Sequence, residues 1–375
     1  MSVLTNNLFK PIMVGRIKLA HRIAMAPLTR VRADPETAVP TNVMETYYKQ
    51  RSQAPGTLIV TEATVISEQA RAFPGVPGIW TKDQVSGWKK ITDIVHDQHS
   101  FIFQQLWAVG RAAKPNYLFS LGNDFVSSSN VPDLTSPYNQ EGIIPRALTI
   151  EEIKQYVKDF AQAAKNSIEA GFDGVEIHAA NGYLPHQFLD ETVNHRTDQY
   201  GGSVENRARF TLEIVDAISE AIGSDRLAIR LSPYETYGDM KYGPATLEQY
   251  AYLLKELEVR GLKSGGRLAY IHTVENTFDA TNSVGEPILK RPLEFVRNVW
   301  SGVWIRTQHF SRDLALDFAD LDDKLVIGFG KMFISNPDLV RRIKEDLPLA
   351  TPDFTKLYTG GASGYIDYPE YAEKK

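Results

Sequence analysis

Cysteine is absent from all 375 residues. That absence removes disulfides, thiolate nucleophiles and every cysteine-based zinc site together, and no metal centre is expected. Long apolar runs are missing as well: no stretch of 18 uncharged apolar residues occurs, so no membrane-crossing helix is expected. The opening stretch "MSVLTNNLFKPIMVGRIKLA" lacks the continuous apolar core of a secretion signal. Charge of one sign is also lacking, because 41 basic residues face 46 acidic ones for a net charge of −5, without long single-sign blocks. The balance gives no nucleic-acid footprint and no basic membrane surface, and it points to a small-molecule partner. These absences together read as a soluble cytoplasmic enzyme.

What is present is alternation. Short, nearly continuous apolar runs at 22–30, 56–64, 100–107, 174–180, 226–233, 267–274, 302–310 and 325–333 read as strands. Helical patterns lie between them at 81–98, 203–223, 246–260, 290–300, 311–321 and 336–346. Another follows Thr149, which forms a capping box with Glu152 and is succeeded by apolar Ile153, Tyr156, Val157 and Phe160. Parallel strands need long crossovers and are covered on both faces, which suits this pattern. Eight repeats of strand and helix predict an α/β TIM (β/α)8 barrel, one domain over 1–375, in preference to a doubly wound open sheet. The Ser-, Asn- and Pro-rich stretch 108–148 reads as a loop or hairpin inserted after the third strand.

In such a barrel the chemistry belongs at the C-terminal ends of the strands. Polar residues gather there: Thr29, Glu62 and Thr64, Gln105 with Trp107, Arg230, and His309. The fourth strand runs into "HAANGYLPHQF", 178–188, which offers His178, Asn181 and Tyr183 in quick succession. A core gains nothing from three unpaired polar groups, since each one buried without a partner costs about 1–3 kcal/mol.

The segments "APLTR", "PGTLIVTEAT", "QLW", "HAANGYLPHQFLDETVNHRTDQYGGSVENRARF", "FISNPDLVRRI" and "GYIDYPEY" resemble the Old Yellow Enzyme family, FMN-dependent ene-reductases on a TIM barrel. The likeness runs from about Leu8 to Tyr371 and is closest to the fungal branch that includes reductases of secondary metabolism. It implies that His178 and Asn181 hold the carbonyl oxygen of an α,β-unsaturated substrate, that Tyr183 protonates the α-carbon, and that hydride comes from FMN reduced by NADPH. It further implies that Thr29, Ala63, Gln105 and Arg230 contact the flavin ring, that Trp107 and Tyr365 wall the pocket, and that Gln308, His309, Gly330 and Lys331 receive the phosphate. Arg30 and Arg306 read as ordinary surface ion pairs.

Two positions depart from the family's pattern. Gln308 stands where a glycine would let backbone amides approach the phosphate, and Lys331 stands where a forked arginine is usual. A second activity therefore stays open at this point: a flavin-independent epimerase or isomerase that moves protons beside a carbonyl with Tyr183 or His186. A non-catalytic binder would not need Tyr183 opposite an oxyanion site. The substrate, expected to be a natural product, would be selected by 108–148 and 275–290, and the protein is expected to be a monomer or homodimer.

Overall fold

Eight parallel strands close on themselves: β1 (Ile23–Met25), β2 (Leu58–Val60), β3 (Phe101–Trp107), β4 (Gly174–Ala179), β5 (Leu227–Leu231), β6 (Tyr270–Val274), β7 (Trp304–Thr307) and β8 (Leu325–Phe329). Each pairs with its neighbour in sequence, and β8 pairs with β1 to complete the ring. The computed structural model describes residues 5–243, 245–263, 266–275, 280–281, 287–288, 293–308 and 310–372. His309, most of 275–290 and residues 290–292 of the helix expected at 290–300 lie outside them.

The strands are shorter than the apolar runs that signalled them, for local reasons. In 302–310 the extended backbone stops at Thr307 because Gln308 takes φ +84°. The run at 56–64 breaks after Val60, and Thr64–Val65 then pairs separately with the end of β3. β4 is buried along its whole length, as expected of a strand covered on both faces.

Helices α1 (Asn42–Arg51), α2 (Lys82–Asp97), α3 (Ile150–Glu169), α4 (Val204–Ile222), α5 (Thr246–Lys263), α6 (Phe295–Val299), α7 (Arg312–Leu321) and α8 (Leu339–Glu345) follow the strands in turn. α3 begins at the expected capping box: Thr149 Oγ1 accepts from the Glu152 amide at 3.2 Å, and Glu152 Oε2 accepts from the Thr149 amide at 2.7 Å. α1 has no counterpart in the sequence expectation.

Inside the barrel, Ala24, Leu58, Val60, Phe103, Ala228, Tyr270, Ile305 and Val326 form a core with Val14, Ile17 and Leu19. Those last three come from an N-terminal hairpin, Ile12–Val14 paired with Ile17–Leu19. Its turn needs Gly15, at φ +55°, where a Cβ would fall 2.0 Å from the Asp225 carbonyl oxygen. The apolar plug fills the lower barrel, so polar side chains on the same strands collect at the C-terminal rim.

The 108–148 insertion carries a helix, Pro115–Ser120, and two short strands, Val126–Ser127 and Arg146–Ala147, that pair in parallel and so do not form a hairpin. Buried Arg111 fastens this insertion to the β5 loop by donating to the carbonyls of Val131 and Pro132 on one side and of Gly238 and Asp239 on the other.

Candidate active site

Register places the site. His178 pairs with Arg230 across β4 and β5, and Arg230 pairs with His272 on β6, while Gln105 on β3 stands opposite Glu176 on β4. Above this row the chain leaves β4, turns at Asn181 with φ +52° and Gly182 with φ +76°, and delivers Tyr183 as the cap of a short helix, Leu184–Leu189. The Asn181 amide donates to Ser232 Oγ at 2.8 Å, which ties the turn to the end of β5.

His178, Asn181, Tyr183, Arg230, Gln105 and Thr29 line one cleft of about 210 Å³. A second cavity, about 520 Å³, is lined by Thr307, Gln308, Gly328 and Gly330, and it shares Pro27, Leu28, Arg230 and Lys331 with the first. One trough therefore runs from Tyr183 to the ends of β7 and β8.

His178 lies edge-on to Tyr183, ring centroids 4.6 Å apart, and Tyr183 lies edge-on to Trp107 at 4.8 Å. Burial, and after it the charges of Arg230, His272 and His186, push the His178 pKa well below its ordinary value, so the ring is neutral at neutral pH. Its Nδ1 is buried without a partner among the described residues, which leaves Nε2 to serve the cleft. Burial, then the neighbouring Tyr237 and Tyr358, raise the Tyr183 pKa, so the phenol holds its proton across the working range.

Asn181 is held at both ends of its amide: Nδ2 donates to Glu235 Oε2 at 2.9 Å, and Oδ1 accepts from Arg230 at 3.2 Å. One Nδ2 hydrogen remains for a ligand. Among the described residues the buried Arg230 Nε has no partner, and the Arg230 side chain lines the trough. Gln105 is locked from beneath, donating Nε2 to Glu176 Oε1 at 2.7 Å, while Glu176 Oε2 bonds His272 Nδ1 at 2.7 Å. Burial opposes the charge of Glu176, yet His272, Arg230 and Gln105 hold its pKa below the ordinary carboxylate value.

These positions suit a planar, oxygen-rich ligand with an anionic tail. Thr29, the locked Gln105 and the half-used Arg230 guanidinium offer polar contacts along the first cleft. Gly330 caps the short helix Lys331–Ser335, and the exposed Lys331 supplies a cation to both cavities. Gly328 is required there by packing, since a Cβ would lie 2.4 Å from Thr307 Cγ2 on the neighbouring strand. Gln308 takes on the positive φ that glycine would take with less strain.

Several expected residues stand elsewhere. Tyr365 is fully buried, stacked on Tyr47 at 4.1 Å, and Tyr358 of the same C-terminal segment lines the cleft in its place. Ala63 is buried beside β2 and lines neither cavity. Arg30 and Arg306 are not on the surface: Arg30 is buried and donates to the carbonyls of Leu357 and Gly364, and Arg306 is buried against Glu275 with an N···O distance of 2.6 Å. His186 accepts from the Gly182 amide through Nδ1 at 3.0 Å behind the turn and does not line the trough. Glu235, Glu176 and Tyr358 escaped the sequence reading; polar Glu235 directly after β5 was the available signal.

A closed parallel barrel with neutral donors, a protonated phenol and an anion-ready trough on its C-terminal rim has the architecture of a flavin-dependent oxidoreductase. Residues 7–350 match the model of the NADH:flavin oxidoreductase / NADH oxidase family, and the chain belongs to that family. An enoate reductase of Kluyveromyces lactis is 44% identical, over 98% of this chain and 94% of the relative. A chanoclavine-I aldehyde reductase of Penicillium roqueforti is 42% identical, over 98% and 97% respectively. The crystal structure of Old Yellow Enzyme from a Pichia species superposes with a TM-score of 0.90 at 39% identity, covering 99% of this chain and 95% of that one.

Proposed function

We propose that the protein is an FMN-dependent reductase of the C=C bond of α,β-unsaturated carbonyl compounds, drawing on NADPH and acting on a natural product. The observation that carries this reading is the grouping of a neutral His178, a half-free Asn181 amide and a Tyr183 that rests protonated on one wall of a trough whose floor is polar and cationic.

His178 Nε2 and the free Asn181 hydrogen donate to the substrate's carbonyl oxygen. Neutral donors suit that task, because they stabilise the negative charge that grows on oxygen and keep their own protons. Polarisation makes the β-carbon electrophilic. FMN, seated along Thr29, Gln105 and Arg230 with its phosphate toward Lys331, would supply hydride to that carbon after reduction by NADPH. Tyr183 then gives its proton to the α-carbon, and solvent returns one to the phenolate.

The test is the purified protein itself. Yellow colour, loss of enone reduction on removal of FMN and its return on adding FMN back are expected. A colourless protein that neither binds FMN nor oxidises NADPH in the presence of an enone would overturn the reading.

A further inference from the structure

The apolar plug and the site share their strands, and one gives way to the other within two residues. Phe103, Ala228, Tyr270 and Ile305 point into the plug. Two positions further along the same strands, facing inward again because side chains alternate, stand Gln105, Arg230, His272 and Thr307. Glu176 on β4 lies level with Gln105. Glu176 and His272 are fully buried, and neither lines the trough. A carboxylate taken this deep is costly unless its oxygens are matched, and apolar side chains of similar size would serve packing as well or better.

The hydrogens in this layer can be counted. Thr307 Oγ1 donates its one hydrogen to the Thr273 carbonyl at 3.0 Å, so in its 3.1 Å contact with His272 Nε2 the imidazole must be the donor. His272 Nδ1 then faces Glu176 Oε2 at 2.7 Å, where two lone pairs would repel, so one proton lies between them. Whichever atom carries it, Glu176 Oε1 is left with lone pairs only. The Gln105 carboxamide, 2.7 Å away, must therefore turn its NH2 group toward Glu176. Its oxygen and its second N–H hydrogen are left for the cleft that Gln105 lines.

We infer that Glu176 and His272 are positioning residues for the cofactor: acting through Gln105, they set an acceptor beside a donor, which fits the N3–H of a flavin and the carbonyl next to it and disfavours a ring without that hydrogen. This deepens the reductase reading above and rests on its placement of the flavin. Without Glu176 the carboxamide would be free to rotate and offer its two ends the other way round, setting N–H against N–H and oxygen against oxygen.

The experiment titrates the FMN-stripped full chain with FMN and with 3-methyl-FMN, which lacks the N3 hydrogen, and follows flavin fluorescence. Wild type is expected to bind FMN at least about tenfold more tightly than the analogue. Glu176→Leu should weaken FMN by about tenfold and bring the two ligands within about threefold of each other. Glu176→Gln should stay within about threefold of wild type, because its amide oxygen still accepts from Gln105 and its NH2 group donates to His272 Nδ1. Gln105→Leu supplies the decisive background: adding Glu176→Leu to it should change FMN affinity by less than about twofold, whereas a merely structural Glu176 would lose as much affinity there as in wild type. A wild-type ratio near one, an equal loss from Glu176→Leu in both backgrounds, or a loss of about tenfold in Glu176→Gln would overturn the inference. Should Glu176→Leu fail to fold, the wild-type ratio and Glu176→Gln still decide it. Gln105→Leu alone separates the two readings: unchanged FMN affinity there removes the flavin from Gln105 and the inference with it, whereas a loss there with none in Glu176→Leu removes only the positioning role.

Discussion

At the scale of single residues, the separation of binding from proton transfer gives a direct prediction. Tyr183 contributes a proton and little of the grip on the carbonyl, so Tyr183→Phe should leave the dissociation constant of an aldehyde ligand within about twofold while lowering turnover by roughly 10²-fold or more. Stopped-flow measurement of the oxidative half-reaction checks it; lost affinity with intact turnover would remove Tyr183 from its role. These residues were legible in the sequence because they sit together within "HAANGY". Glu235 was not, since it reaches Asn181 only through a fold that joins positions 54 apart. Gln308 supplies a second residue-scale prediction. A non-glycine residue at φ +84° is strained, so Gln308→Gly should raise stability by about 1 kcal/mol and tighten FMN binding at the β7 turn. Denaturant midpoints of the apoprotein and FMN titration measure the two effects separately. No change in either would show that the turn relaxes around Gln308 at no cost.

At the scale of elements, the strands were readable because a strand covered on both faces must be apolar at nearly every position, which leaves a mark that needs no partner to interpret. The capped helices were readable for a related reason: a capping box is written in four adjacent residues. α1 was not, because its inward face is Met44, Tyr47, Tyr48 and Arg51, and its cap residue Thr41 makes no side-chain capping bond. Buried Arg51 looks polar in the sequence, and much of its satisfaction comes from distant carbonyls, those of Phe333, Ile334 and Tyr365. The start of α3 offers a test at this scale. Glu152 closes the capping box and also pairs with Arg146, so it joins α3 to the inserted strand Arg146–Ala147. Thr149→Ala should cost about 1 kcal/mol, read as a lowered thermal midpoint. The Arg146 contact, opposed by burial and helped by the Thr149 amide, lowers the Glu152 pKa to about 2. For a carboxylate with a depressed folded pKa the contribution is present above the ordinary value near 4.5 and is lost as pH falls toward 2, so the cost of Arg146→Ala, which removes the largest cause of the depression, should shrink on acidification through that window.

At the scale of the whole molecule, the chain's last segment closes over its first strand. Arg30 donates to Gly364 O at 2.7 Å and Arg32 to Leu357 O at 2.7 Å, and both guanidiniums lie over the Tyr365 ring, at 5.1 and 4.8 Å. This strap brings Tyr358 to the cleft, and no local pattern announced it, because its bonds span more than 300 positions. Beneath it Glu62 is buried, with Tyr48 and the Arg30 amide as neighbours at hydrogen-bond distance. Burial raises its pKa to about 7 even though Arg30 and Arg32 pull it down. An unfolded chain releases this proton near the ordinary 4.5, so between the two values the folded state binds more protons than the unfolded one. Stability contributed by this group therefore falls as pH rises from about 4.5 to about 7 and stays low above it. Glu62→Gln removes the titration. Relative to wild type the variant should gain stability between pH 5 and pH 8, by something on the order of 2 kcal/mol, whatever its offset at pH 5 from altered contacts with Arg30 and Tyr48. Urea midpoints of both proteins at the two pH values measure the difference. If the gap between them is the same at both, Glu62 does not titrate in this window, and the strap is held over a carboxylate that stays in one protonation state throughout.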